Sequence, residues 1–143
     1  APEYSEYDGT PNFTGGHGNF YSDSYRVALN VALDWEWFRV DPWQVEQSNR
    51  IQEFFAEIPM EEYKIYAVDG TLIDEPALHP WGLLATNAAA SLASDGPHRK
   101  MYVDKFWNLP LRKGIRRYCD NCLYFFSLLA LSGKYRIWSK EEK

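Results

Sequence analysis

Two kinds of apolar stretch alternate along the chain. Residues 22–39 and 115–131 are apolar at most positions, whereas residues 43–57 and 98–108 place apolar and charged residues on opposite faces at helical spacing. Apolar residues on all sides are typical of a buried helix, and one apolar face is typical of an outer helix. The pattern therefore predicts two inner helices and two outer amphipathic helices.

Local signals place the ends of these helices. Ser22 and Asp23 are both favourable N-cap residues, so we expect the first helix to begin at one of them. Pro42 suits the first turn of the second helix. Ser132-Gly133 is expected to end the last helix, and Lys140-Glu141-Glu142-Lys143 predicts a solvated tail.

Three further segments have distinct compositions. Residues 81–94 are rich in alanine and predict a helix whose small side chains permit close packing. Residues 63–73 predict a short β-hairpin that turns at Asp69-Gly70. Within the opening loop 1–21, the three glycines of residues 14–19 oppose regular structure, so we expect a turn or a mobile loop there.

The pattern as a whole predicts an all-α fold with one hairpin insertion. Inner helices paired with outer ones are typical of a double-layered helical barrel, which five helices cannot close. A small helical bundle is the alternative, although a bundle of 143 residues seldom needs two helices buried on all sides. That length fits one domain. Because the chain begins with Ala1 in a loop-like stretch, we expect it to be cut from a longer chain.

Composition excludes several partners. The net charge of −5 argues against nucleic-acid binding, which requires clustered positive charge. The 17% aromatic content provides ample apolar surface to bury, which excludes intrinsic disorder. No apolar run reaches the ~18 residues of a membrane span, so no membrane partner is expected.

The cysteines and histidines do not indicate a cofactor. Cys119 and Cys122 lie one turn apart in a predicted helix, where a disulfide is disfavoured, and a redox or metal C-x-x-C motif is the less favoured alternative. His17, His79 and His98 are scattered without metal-ligand spacing. We therefore expect no metal and no cofactor.

Three stretches together resemble glycoside hydrolase family 8. Residues 21–29 (Tyr-Ser-Asp-Ser-Tyr-Arg-Val-Ala-Leu) are similar to that family's catalytic-base motif, with Asp at a helix start and Arg three residues later. Residues 79–88 and residues 116–124, followed by Ser132-Gly133, resemble the same family in the same order. Leu78-His79-Pro80 before a helix is the local feature that resembles the reducing-end xylose-releasing exo-oligoxylanases rather than the endo-acting xylanases.

The resemblance implies the C-terminal part of an (α/α)6 barrel, with residues 1–143 as half of one catalytic domain (loop 1–21, helical part 22–139). It implies inverting hydrolysis of β-1,4-xylooligosaccharides of at least three units, with release of xylose from the reducing end. The family's general acid, a Glu, lies in the N-terminal half, which we expect as a separate chain of a nicked enzyme. This chain alone is then not expected to catalyse. An oligomeric substrate suits an enzyme fed by imported fragments, so we expect a cytoplasmic location.

The resemblance assigns Asp23 as the general base. An inverting enzyme needs a carboxylate that activates water, about 6.5–9.5 Å from the general acid, and a helix N-terminus favours the ionised form. The alternative is that Asp23 only caps the helix. Arg26 is expected to bind the sugar in the −1 subsite and to keep Asp23 ionised, or alternatively to form a structural ion pair, for example with Asp34.

The remaining candidates concern substrate binding. Leu78, His79 and Pro80 resemble a barrier that closes the cleft beyond the first reducing-end sugar, and His79 is expected to hydrogen-bond its anomeric hydroxyl. The alternative is a rigid loop with an exposed histidine. Tyr118 is a candidate for the −1 subsite. Trp35 is the tryptophan proposed to stack on a sugar face.

Other interpretations stay open at this stage. Trp37 and Trp81 are further stacking candidates, and at least two of the three tryptophans are expected in the core. His17 receives no role. An endo-β-1,4-xylanase or β-glucanase of the same family is one alternative function, and a non-catalytic helical module that binds sugars or protein is another.

Overall fold

The computed structural model describes residues 1–138, so the predicted tail at 140–143 lies outside the described residues. The predicted helices and the hairpin are all present, with ends displaced by a few residues. The elements are α1 (Arg26–Phe38), α2 (Trp43–Phe55), β1 (Lys64–Tyr66), β2 (Leu72–Pro76), α3 (Pro80–Ala89), α4 (Arg99–Trp107) and α5 (Arg117–Leu131). Short 3-10 turns, Ser22–Tyr25 and Ala90–Leu92, precede α1 and follow α3.

The chain enters α1 without the predicted side-chain cap. Neither Ser22 nor Asp23 caps the helix. Instead, the Ser24 hydroxyl accepts the Tyr21 N–H at 2.9 Å and donates to the Tyr21 carbonyl at 2.8 Å. The interpretation of Asp23 as no more than a helix cap is therefore wrong, because its carboxylate pairs with Arg26.

The hairpin turns where the sequence predicted. β1 and β2 pair antiparallel, with Ile65 opposite Ile73. Gly70 lies in the left-handed region at φ +92°, which glycine adopts without steric cost. The Asp69 carboxylate accepts the Thr71 N–H at 2.9 Å and closes the turn.

Backbone hydrogen bonds hold the opening loop in place. Glu3 donates to the Asn19 carbonyl and Tyr4 to the His17 carbonyl, each at 2.8 Å. Residues Thr14–Gly16 form a 3-10 turn, which agrees with the turn predicted within residues 14–19. The loop thus folds back on itself beside the start of α1.

Helix α3 is the buried centre of the molecule. All residues from Gly82 to Ala89 are buried, and α1, α4 and α5 contact this helix. A Cβ added to Gly82 would lie 2.6 Å from Leu123 Cδ1. The predicted role of small side chains in close packing is confirmed, since glycine and alanine let the neighbouring helices approach.

Within residues 1–138, α1 and α5 are not buried on all sides, and their burial as inner helices of a larger barrel stays a prediction. Each helix buries one face against α3, while Val27, Phe125 and Phe126 are 41–53% exposed. The apolar runs did not distinguish a side chain that packs on α3 from one that faces outward. The buried positions are Leu29, Ala32 and Leu33 in α1, and Asp120, Leu123, Ser127 and Ala130 in α5.

The amino ends of three helices come together. Gly82, near the start of α3, donates to Asp120 in the first turn of α5, and the far ends of these helices pack together through Ala89 and Ala130. The two helices therefore run in the same direction. The turn before α1 contacts α3. This turn contains Tyr25, whose pKa is raised mainly by burial and further by the nearby charge of Asp120. The candidate residues are concentrated at this end.

The described part of the chain shows no membrane-spanning or metal-binding feature. Within residues 1–138, no helix is long and apolar enough to cross a bilayer. Across the same residues, no group of three His, Cys, Asp or Glu side chains is placed to hold a metal ion. Cys119 and Cys122 are both free thiols.

Candidate functional site

The structure brings Asp23 and Arg26 together at the amino end of α1. Arg26 donates from a terminal guanidinium nitrogen to Asp23 Oδ1 at 2.5 Å, and the two side chains are 53% and 57% exposed. Asp34 instead accepts a hydrogen bond from Gln44, so the alternative pairing of Arg26 with Asp34 is wrong. An accessible carboxylate beside a fixed cation is available to water and to a ligand.

Glu3 binds the backbone of Asp23. Its Oε1 accepts the Asp23 backbone N–H at 3.2 Å, and its Oε2 accepts from His17 Nδ1 at 2.5 Å. The Glu3 side chain is 5% exposed. The His17 ring also stacks on Tyr4, with centroids 4.3 Å apart. His17, which had no assigned role, therefore belongs to the structure that fixes the backbone of the candidate base.

Tyr21 lies within the electrostatic influence of both Glu3 and Arg116, the residue before α5. Burial raises the pKa of the Tyr21 phenol, and the charge of Glu3 raises it further, while Arg116 lowers it. These charges act on Tyr21 because Glu3 and Arg116 lie nearby. The phenol consequently stays protonated at neutral pH, when its hydroxyl can donate a hydrogen bond.

His79 forms the second cluster, with Asp120. The His79 Nδ1 lies 3.0 Å from Asp120 Oδ2. Asp120 Oδ1 accepts the Gly82 N–H at 2.7 Å. The side chain of His79 is 7% exposed and that of Asp120 is fully buried, so the expectation of an exposed histidine in a rigid loop is wrong.

Arg112 completes this cluster from the segment between α4 and α5. Its guanidinium donates to Asp120 Oδ2 and, at 3.0 Å, to the Leu78 carbonyl. The guanidinium also lies over the Trp81 ring, 5.2 Å from its centroid. The arginine thus ties the loop before α3 to the first turn of α5.

Asp120 is ionised despite its burial. Burial raises the pKa of this carboxyl, but the hydrogen bonds from His79, the Gly82 N–H and Arg112 outweigh that effect. The net result is a pKa below the ordinary value. A buried carboxylate that accepts three hydrogen bonds is stable as the charged form.

The other candidates lie at different depths. Leu78 and Pro80 are half-buried on either side of His79, and Pro80 is the first residue of α3. Tyr118 is 77% exposed in the first turn of α5. Trp35 is half-buried near the opposite end of α1, roughly 18 Å along the chain direction from Asp23. The structure does not bring Trp35 to the cluster of amino ends.

Two of the three candidate tryptophans lie at the edge of the core. Trp35, Trp37 and Trp81 are all half-buried, and two of them, Trp37 and Trp81, pack against the buried core, in line with the expectation for at least two of the three. Trp37 donates its indole N–H to the Tyr135 carbonyl at 3.1 Å, and Trp81 donates to the Pro110 carbonyl at 3.0 Å. Both indoles thus fix neighbouring chain segments.

Sequence reasoning missed Glu3, Arg112 and Asp120. A single carboxylate inside the apolar run of α5 is itself a signal, because a buried charge requires partners. That argument would have identified Asp120. Glu3 and Arg112 lie in segments without periodicity, and their contacts, 20 and 34 positions away along the sequence, leave no local pattern.

The chain is similar to known proteins along nearly its whole length. No family model matches it. It is 64% identical over 141 residues to the reducing-end xylose-releasing exo-oligoxylanase Rex8A of Paenibacillus barcinonensis, which is 96% of this chain and 37% of the relative. It is 58% identical to the reducing end xylose-releasing exo-oligoxylanase of Halalkalibacterium halodurans, over 99% of this chain and 37% of the relative.

A solved structure agrees with this relationship. A mutant of Rex8A from Paenibacillus barcinonensis, complexed with 3(3)-alpha-L-arabinofuranosyl-xylotetraose, superposes with a TM-score of 0.96 and 61% identity. The match covers 100% of this chain and 38% of that one. The chain spans 37% of the length of the curated relatives it matches. The resemblance drawn from the three sequence stretches is therefore confirmed: this chain is homologous to a portion of the reducing-end xylose-releasing exo-oligoxylanases, which are glycoside hydrolases.

Proposed function

We propose that the chain is the C-terminal half of an inverting glycoside hydrolase that releases xylose from the reducing end of β-1,4-xylooligosaccharides. In this proposal residues 1–143 form part of a single (α/α)6 catalytic domain. The observation that carries it is the accessible Asp23–Arg26 pair at the converging amino ends. The 64% identity to Rex8A supports the choice of substrate.

Asp23 acts as the general base. Its carboxylate takes a proton from a water molecule, and the water oxygen bonds to the anomeric carbon from the face opposite the leaving group. The glycosidic bond breaks, and its electron pair goes to the departing xylose oxygen. That oxygen receives a proton from the general acid, a Glu of the N-terminal half.

Arg26 has two tasks in this scheme. Its guanidinium binds the Asp23 carboxylate at 2.5 Å and thereby fixes the position of the base. Its remaining N–H groups can donate to hydroxyls of the sugar in the −1 subsite. Tyr118, exposed in the first turn of α5, contributes to the same subsite, and Trp35 is retained as a stacking residue only as a prediction.

The Leu78-His79-Pro80 loop limits the leaving-group side to one xylose. Leu78 and Pro80 close the cleft by their bulk, and His79 accepts a hydrogen bond from the anomeric hydroxyl of that sugar. The position of the loop at the start of α3, on the side where α1 and α5 also begin, supports this assignment. Substrates shorter than three units then lack binding contacts on the non-reducing side.

The remainder of the domain is the required protein partner. We propose that it packs on this chain as the N-terminal half, whether joined to it or nicked from it. The exposed apolar side chains Val27, Phe125 and Phe126 offer a surface for that packing. A cytoplasmic location for the complete enzyme stays a prediction.

The test follows the products of xylotriose labelled at its reducing end. It uses the full-length enzyme, meaning the natural protein that contains this chain. We expect labelled xylose and unlabelled xylobiose, with the xylobiose formed as the α-anomer because hydrolysis inverts the β-linkage. Labelled xylobiose as the main product would support an endo-acting enzyme instead. Binding without hydrolysis would support the non-catalytic module, and a β-anomer would contradict inversion.

A further inference from the structure

The Leu78-His79-Pro80 loop is held by groups that lie far from it in the sequence. Arg112 donates to the Leu78 carbonyl at 3.0 Å, and Asp120 binds His79 Nδ1 at 3.0 Å. Arg112 and Asp120 also bind each other. The backbone and the only ionisable side chain of this loop are therefore fixed by the same ion pair.

The pairing with Asp120 selects the proton position on His79. An ionised carboxylate only accepts hydrogen bonds, so the hydrogen between the two groups must be on Nδ1. In the neutral ring, Nε2 then carries the lone pair and accepts a hydrogen bond. A sugar hydroxyl at Nε2 is consequently required to donate, which is a directional condition on the bound sugar.

Arg112 is itself rigidly placed. Its backbone N–H donates to Asn121 Oδ1 at 2.9 Å, and Asn121 Nδ2 donates to the Arg112 carbonyl at 3.0 Å. The Trp81 ring, whose N–H is bound to Pro110, covers the guanidinium. These contacts anchor the arginine to α5 and to α3 at the same time.

We propose that Arg112 and Asp120 are positioning residues for reducing-end specificity. They keep the Leu78-His79-Pro80 loop closed behind the first leaving-group sugar, and they present His79 Nε2 as an acceptor to that sugar. The inference rests on the proposed function, because it concerns the same subsite. It adds that specificity depends on residues outside the loop.

The test compares products from xylotetraose in the full-length enzyme. At initial rates, before xylotriose is itself cleaved, release of the reducing-end sugar gives xylose and xylotriose, whereas a substrate bound one subsite further gives two xylobiose molecules. The combined variant Arg112→Gln with Asp120→Asn removes both charges together, which avoids an unpaired buried charge. Arg112→Lys keeps the positive charge, but its shorter ammonium replaces the planar guanidinium that lies over the Trp81 ring while Nη1 binds both Leu78 and Asp120. Lys113→Gln, an exposed neighbour, is the matched control.

We expect the combined variant to raise the ratio of xylobiose to xylose about tenfold, which is the effect of one neutral hydrogen bond on a competition between two binding modes. Arg112→Lys should give an intermediate ratio, and Lys113→Gln should match the wild type. A residue that only stabilises the fold would reduce total product without changing the ratio. An unchanged ratio in the folded combined variant would overturn the inference.

A second measurement separates this inference from the proposed function. Nitrogen NMR of the full-length enzyme should show the neutral His79 ring protonated at Nδ1. In the combined variant no guanidinium competes for the amide oxygen, which binds the Gly82 N–H. The amide nitrogen therefore faces His79, and the proton of the neutral ring moves to Nε2. The same tautomer in both proteins would contradict the inference. Failure of the wild type to release xylose, with the tautomer exchange observed, would instead contradict only the proposed function.

Discussion

Within residues 1–138, two Asp–Arg pairs lie at the same end of the helix cluster, and their environments differ. Asp23 and Arg26 are one helical turn apart and more than half exposed. Asp120 is fully buried, and Arg112, from a different segment, is 19% exposed. The same two side chains thus form an accessible pair in one place and an internal anchor in the other.

The exposure of each ion pair determines whether it contributes to stability or is available for chemistry. An exposed ion pair contributes about 0–1 kcal/mol to stability, so the Asp23–Arg26 pair has little structural value. Removal of one partner from a buried pair costs about 3–5 kcal/mol, because an unpaired charge remains inside. We therefore expect chemistry to depend on the first pair and loop geometry on the second.

The largest expected effect is the loss of activity in Asp23→Asn. The amide cannot take a proton from water, so kcat should fall about a thousandfold, within the range for loss of a general base. The melting temperature should stay close to that of the wild type. Initial rates of xylotriose hydrolysis provide the measurement, with Glu36→Gln, an exposed carboxylate on α1, as the control. Turnover within tenfold of the wild type would exclude Asp23 as the base.

The second prediction concerns stability, for which we expect the buried pair to matter more than the exposed pair. Asp120→Ala should lower the free energy of unfolding of the full-length enzyme by about 3 kcal/mol, since Arg112 is left without its buried partner. Asp23→Ala should lower it by less than about 1 kcal/mol. Urea denaturation of both variants gives the two values. Equal losses would show that burial does not distinguish the pairs.

The smallest effect is expected in the acid dependence of stability. The pKa of Asp120 is below its ordinary value near 3.8 in the folded protein, so its contribution is fully present above about pH 4 and is lost as pH falls through the folded pKa. The free energy of unfolding should therefore rise with pH more steeply below about pH 4 in the wild type than in Arg112→Gln with Asp120→Asn. Denaturation between pH 2 and about 6 checks this. Parallel curves would argue against a stabilised carboxylate.

Local patterns predicted the elements well. The helices and the hairpin begin and end within a few residues of the expected positions, because caps, prolines and periodicity act over short distances. The predicted turn at Asp69-Gly70 is present because its chemistry is contained in those residues. The end of α3 was placed too late, since the chain tightens into the 3-10 turn Ala90–Leu92.

Long-range relations were less accessible. Apolar composition predicted α1 and α5 as inner helices of a larger barrel, and this stays a prediction. Within the described residues the centre is α3, because its small side chains permit contact on every side. Asp23 and Arg26 were paired correctly, as neighbours on one helix. Asp120 and Arg112 were missed, since their partners His79 and Leu78 are 41 and 34 positions away.

The anchoring of Leu78 by Arg112 has a consequence for protein engineering. A designer who transplants the Leu78-His79-Pro80 tripeptide into an endo-acting scaffold would transfer the bulk of the loop without its fixed support. Such a graft needs a compatible arginine and aspartate on two other segments, together with a small residue at the position of Gly82. Under the proposed function, specificity in this region would be a trait of three segments, and libraries that vary one loop alone would sample it poorly.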